Sequence, residues 1–411
     1  MFRTSRPFLA AAALAAMVAC SSDGTGPAIV PIDTGPCPQP TAAGSLGLGC
    51  VAERFTGELN VRGSWAYTST WGRRGTVAGN AVKVWNVAGT RPLLVDTLHL
   101  EGATTTGDVQ VSDDGRLLVV ATERAGGSLA VYGLDDPSHP AFITRYTTEN
   151  TLAGVHTAQV ERVNGKLYAF LCIDPQGAEP AKLVIVDLSD PAHPVETSTL
   201  TIGRPFVHDV FVRDGLLFTA EWNDGLGIWD IGGGGRGGSP ASPVRMAQAA
   251  VTGGAVHNVW WLHDAAGGKR WIVTGEEQPG VIGSASAGDV HVLDAADLLH
   301  PREVAFFHVD GAGTHNFSVD EVRGTLYAAY YNAGIRALDL RGDLGACTAE
   351  QKAADGRCDL ARMGRLLGRA LDQGDLPQPV YVWGVQYTDG RLFASDMQNG
   401  LVRLDPAGLK Q

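Results

Sequence analysis

Leu183-Val184-Ile185-Val186-Asp187-Leu188-Ser189-Asp190-Pro191, followed closely by Pro194, decides the fold because it recurs. Similar apolar runs extend from Val82 to Asn86, Leu129 to Gly133, Leu226 to Asp230, Val290 to Asp294, Ile335 to Asp339 and Leu401 to Asp405, and five of the seven copies end in Asp. A period of about fifty residues marks a repeat architecture in which each copy is one supersecondary unit. Asp at a strand end accepts hydrogen bonds from the N–H groups of the following turn. Pro92, Pro140, Pro194, Pro243 and Pro301 then open the next strand, where no ladder donor is needed.

Two further β-type runs precede each copy. The simplest case is Val207 to Val212, a turn at Asp214-Gly215, and Leu216 to Ala220; Asp-Gly between apolar runs signals a hairpin. Each unit is therefore a four-stranded antiparallel meander, and seven of them predict an all-β, seven-bladed β-propeller. The seventh unit stops at Leu404-Asp405 without a fourth strand. Residues from about 47 to 56, including Val51 and Phe55, are expected to pair beside 401–405 and close the ring. Ala361 to Leu371 looks helical by composition, but its place in the repeat assigns it to the fourth strand of blade six.

Arg3 and Arg6 precede the apolar run Phe8 to Val18, which is too short to span a bilayer as a mature helix. Residues 1–19 are thus predicted to be a secretory signal. Met17-Val18-Ala19-Cys20 resembles the lipobox of bacterial lipoproteins, which implies lipid on Cys20, and Ser21 behind it implies sorting to the outer membrane. Residues 20–46, rich in Ser, Gly, Pro and Thr, read as a tether to a propeller spanning 47–411. Without 1–19 the chain has 30 basic and 44 acidic residues, a net charge of −14. That balance, with no basic run, argues against nucleic acid and against adsorption to anionic lipid, leaving the anchor as the membrane contact.

In an exported protein the cysteines suggest two disulfides. Cys347 and Cys358 are expected to staple a loop insertion at 341–359, Cys37 and Cys50 to pin the tether to the closing strand, and Cys172 to be a buried thiol. Gly232 to Gly238 reads as a long turn, since it lacks the lysine and following helix of a phosphate loop.

Aligned at the first residue of the inner strands, the chain reads Gly57, Gly107, His156, His208, His257, His315 and Trp383. Inner strands surround the axis, so this column becomes a ring at one mouth of the channel. The second strands end at the same mouth and are expected to bring Glu221 and Asp396 there, with Glu123, Asp174, Glu276 and Glu277 nearby. Histidines beside carboxylates form a metal-binding pattern, and an imidazole-rich site favours a transition metal such as Fe, Cu or Zn. The arrangement resembles carotenoid-cleaving oxygenases, seven-bladed propellers in which four histidines hold ferrous iron; the likeness is one of fold and residue type alone. A blander reading has each histidine, followed by Thr157, Asp209, Asn258 or Asn316, bonding the backbone of the neighbouring blade. Trp222, Trp229, Trp260, Trp261 and Trp271 read as blade packing.

Leu183 to Asp187, with Ser189-Asp190-Pro191 and Pro194, resembles the LVIVD-repeat proteins, bacterial surface and exported propellers. The resemblance implies a fold but no activity. Two functions follow. The first is a cell-envelope lipoprotein that binds or scaffolds a protein, peptide or glycan through its channel mouth and loops 71–80, 173–182 and 276–288. The second is a metal-dependent enzyme, such as an oxidoreductase, centred on His156, His208, His257 and His315.

Overall fold

The computed structural model describes residues 37–42, 44–124, 126–175 and 180–411. The predicted signal 1–19, Cys20 and most of the tether lie outside them. Among the described residues seven sheets form the blades, six of four antiparallel strands and one, in blade five, of four antiparallel strands with a fifth added. Blade three is typical, with Val155–Val163 innermost, then Lys166–Ile173, Lys182–Asp187 and Val195–Thr201 outermost.

The third strand of this blade is apolar without alternation because both of its faces are covered. Leu183 and Ile185 pack with Val210 and Leu217 of blade four, whereas Val184 and Val186 pack with Val119 and Val131 of blade two. The Asp column does what strand-end carboxylates do: Asp187 Oδ1 accepts from Ser189 N at 2.8 Å. Asp230 accepts from the N–H groups of Gly232, Gly234, Arg236 and Gly238, which winds the glycine run around one carboxylate.

Ser45–Cys50 pairs antiparallel with Gly400–Leu404, Leu48 lying opposite Val402, and supplies the missing strand of blade seven. A Cys37–Cys50 disulfide ties the preceding segment to it. Phe55, read from sequence as part of this closing segment, instead begins the innermost strand of blade one, Phe55–Arg62, after a short crossing through 51–54. In blade six the repeat prevails over helix propensity, but only across Leu366–Ala370; residues 361–365 form a turn held by Met363 N on Asp359 O.

The insertion at 341–359 is stapled by Cys347–Cys358. Its Cys358–Asp359 segment adds a short parallel strand to Arg302–Phe307, so the insertion of blade six covers the outer edge of blade five. Cys172 is the free cysteine of the described residues, and it is buried.

Candidate metal centre

A bulge at the same level of several inner strands turns the predicted column toward the axis. In blade three Val155 faces Ile173 and Thr157 faces Cys172, which leaves His156 as the extra residue. His257 and Trp383 are extra in the same way in blades five and seven. An extra residue re-aims its side chain out of the ladder. His208 and His315 precede their strands and are fixed by backbone bonds to Ala220 O (2.8 Å) and Ala329 O (2.9 Å).

The result is an arc of rings. Centroids are 4.2 Å apart for His156–His208, 4.1 Å for His208–His257, 4.1 Å for His257–His315 and 4.2 Å for His315–Trp383. Glu277 enters this arc. Its Oε2 lies 3.5 Å from His208 Nε2 and 3.6 Å from His257 Nε2, and its Oε1 lies 3.9 Å from His315 Nε2. The Tyr331 hydroxyl donates to the same carboxylate.

Glu221 and Asp396 do not join the ring. Glu221 pairs with Arg245 at 3.1 Å and accepts from Thr219 Oγ1 inside blade four, while Asp396 accepts from Tyr381 N and Asn399 Nδ2 at 2.6 Å and holds a turn of blade seven. Glu276 faces His291 instead. The reason is a one-residue register: side chains alternate faces along a strand, so the neighbour of a blade-facing residue faces the axis. One position beyond Glu221, Glu276 and Asp396 stand Trp222, Glu277 and Met397. Trp222 stacks on His208 with centroids 5.3 Å apart, and Tyr331 lies 5.1 Å from His315. Sequence reading had placed Trp222 in the blade packing and had passed over Tyr331; aligning the second strands one residue later would have shown both. Trp222 (φ 48°) and Tyr331 (φ 35°) sit at positive φ, which for bulky residues is strained backbone of the kind found at functional sites.

The two readings of the histidines now separate. The residues that follow them do stitch the blades: Thr157 Oγ1 donates to His208 O at 2.8 Å and Asn258 Nδ2 to His315 O at 2.9 Å. Most of the imidazole nitrogens do not. His208 Nδ1, both nitrogens of His257, His315 Nε2 and His156 Nδ1 are buried and lack a hydrogen-bond partner among the described residues. A buried polar atom left so costs about 1–3 kcal/mol, so Nε2 of His257 and of His315, both left so beside Glu277, mark a place prepared for something else.

The protonation states of three of the four rings suit a metal. Burial, with the neighbouring imidazoles, holds His208 and His257 well below the usual histidine range, and burial brings His315 to about 3. These rings are neutral and carry a lone pair. His315 Nδ1 donates to Trp383 O at 2.7 Å, which fixes its tautomer and leaves Nε2 free toward Glu277. Burial works against charge on His156, yet Glu123 and Asp174 outweigh it and lift that ring to about 9. Donors around a common ion at about 2.0–2.2 Å stand roughly 3–4 Å apart; the separations of 3.5 and 3.6 Å between Glu277 and two imidazoles fit this. Imidazole with carboxylate and no thiolate is a donor set for Zn, Cu or Fe.

The four histidines and Trp383 line a cavity of 330 Å³ together with Glu58, Asp108, Asp209, Gln110, Gln159 and Gln386 among others, with no Lys or Arg among the described lining residues. Burial, with the Asp108 charge, raises Glu58 from its ordinary 4.5 to about 8. Burial likewise raises Asp209 to about 7 and Asp108 to about 6. An acid whose folded pKa is raised holds its proton longer in the folded chain than in the unfolded one, so its contribution falls away as pH climbs from the unfolded value through the folded value. Glu58→Gln is therefore expected to leave stability nearly unchanged at pH 4.5 and to raise it by about 2–4 kcal/mol at pH 8.5. Thermal denaturation at the two pH values checks this; an equal change at both would contradict it.

Residues 177–201, which hold the best copy of the motif, match the LVIVD repeat family. No curated protein matches the chain. Among solved structures it is similar to the β-propeller domain of Cps50 (Swd1) from Myceliophteria thermophila, at TM-score 0.58 and 13% identity, over 88% of this chain and 99% of that one. At that identity the likeness shows the fold alone.

Proposed function

We propose that this propeller is a transition-metal protein of the cell envelope, with Zn, Cu or Fe held at the channel mouth by His208, His257, His315 and Glu277 and with His156 at the open end of the arc. The observation that carries this reading is the gathering of three buried imidazoles around one carboxylate, with Nε2 of His257 and of His315 left without a hydrogen-bond partner toward it and Nε2 of His208 shared with His156. A metal bound there would supply Lewis-acid or redox chemistry in a site largely shielded from water. Tyr331 holds Glu277, Trp222 and Tyr331 cover the arc, and the acid-lined cavity gives a small polar substrate a place beside it. A propeller also serves as a binding module, and the partnerless imidazole nitrogens are what favour the metal over a protein, peptide or glycan partner. Titration of chelator-stripped protein with Co(II) tests the reading: visible absorption bands saturating at a stoichiometric ratio support it, and a spectrum matching aqueous Co(II) contradicts it.

The envelope part rests on Arg3, Arg6, the apolar run to Val18 and the Cys20 context, and the disulfides Cys37–Cys50 and Cys347–Cys358 suit an oxidising compartment. Cys20→Ala is expected to move the protein from the membrane pellet to the soluble fraction. Unchanged partitioning would contradict the lipid anchor.

A further inference from the structure

His156 faces two ways. Its Nε2 lies 2.8 Å from His208 Nε2, within the arc. Its Nδ1 points out of the arc toward Asp174 Oδ1 at 3.4 Å and Glu123 Oε2 at 3.7 Å, and it has no hydrogen-bond partner among the described residues. One donor atom from each of Glu123, His156 and Asp174 lies within 4.8 Å of the others. This is a second donor set beside that of His208, His257 and Glu277, and it contains none of those residues.

Two glycines make the room. A Cβ on Gly107 would stand 2.4 Å from His156 O and 2.7 Å from Glu123 Oε1, and one on Gly154 would stand 2.4 Å from Arg124 N and 2.6 Å from Asp174 Oδ2. Any larger residue at either position would collide with backbone and with a carboxylate of the group. Glu123 and Asp174 follow the second strands of blades two and three, in the axis-facing column that also holds Glu277. Three adjacent or nearby blades therefore send a carboxylate to the histidine arc, two of them to one side of His156.

We propose that the channel mouth holds two metal ions and that His156 joins them, Nε2 reaching the ion of the arc and Nδ1 reaching a second ion held by Glu123 and Asp174. This rests on the metal reading of the arc. Engaging both nitrogens requires the ring to give up every N–H proton it carries, and these leave to solvent as the two ions bind. Two carboxylates and one nitrogen form a harder set than the arc, suited to Cu(II), Zn or Mn.

The test loads full-length protein with Cu(II), counts copper per chain by elemental analysis, and integrates the EPR signal. The expected wild-type result is two copper ions per chain with an EPR intensity far below two spins, because an imidazole bridge couples them. Asp174→Asn is expected to hold one copper with a full single-spin signal, and Glu123→Gln provides the same readout if the first variant fails to fold. One copper per chain in wild type, unchanged in these variants, overturns the second site and leaves the arc standing. Two uncoupled spins overturn the bridge. No bound copper overturns the metal reading of the arc itself.

Discussion

The double variant His208→Ala/His257→Ala is expected to lose tight metal binding while its metal-free form stays folded, with a melting temperature equal to or above that of metal-free wild type. Both rings are buried, at 7% and 2% exposure, and both face Glu277. Losing a group that merely orients a ligand costs about 10–100-fold in affinity, and losing two ligands costs more, so the affinity should fall by at least about 10⁴-fold. The stability effect runs the other way from that of an ordinary core truncation. Shrinking a buried side chain leaves a cavity, but here it also removes three nitrogens that the metal-free fold leaves unpaired, each worth about 1–3 kcal/mol, against the one it newly unpairs, His156 Nε2. Chelator-competition titration measures the affinity and calorimetry the stability. Unchanged affinity, or a metal-free variant destabilised by several kcal/mol, would instead make these histidines structural.

Removing the closing strand should have the largest effect on the fold. A chain beginning at residue 53 lacks Ser45–Cys50, the strand that pairs with Gly400–Leu404, and the Cys37–Cys50 disulfide. It also lacks Leu48 and Val51, which are buried, and it exposes the edge of blade seven, where Leu401, Val402 and Leu404 are buried. Burial of two such apolar side chains is worth about 3–6 kcal/mol, before the lost ladder bonds. Compared with a chain beginning at residue 37, the shorter one is expected to melt at least about 10 °C lower and to associate through the bared edge. Equal melting temperatures and monodisperse behaviour would show that blade seven does not depend on this strand.

The repeat made most of the fold legible. Its register gave seven blades, the closure and the strand at Leu366–Ala370, because each unit buries both faces of its third strand and so keeps the same apolar run. Phe55 was assigned to the wrong blade because the crossing from blade seven to blade one is only a few residues long and carries no turn signal as clear as Asp-Gly. The histidine column was legible for the same reason as the blades, since a repeated strand position becomes a ring. The bulges at His156, His257 and Trp383 were not, because a bulge is a property of pairing and leaves no mark in one strand's composition. Glu221 and Asp396 were chosen one residue early. A period of two makes such a slip complete: it swaps the side chains that hold the blades together for Trp222, which stacks on His208, and Met397, which packs with Tyr331.

The most direct test is elemental analysis of protein purified without a His tag and loaded with Zn, Cu or Fe before exhaustive dialysis. The account predicts at least one equivalent of transition metal per chain, lost in His208→Ala/His257→Ala and raising the melting temperature of wild type. Protein that emerges metal-free from loading with each of the three, with an unchanged melting temperature, would contradict it.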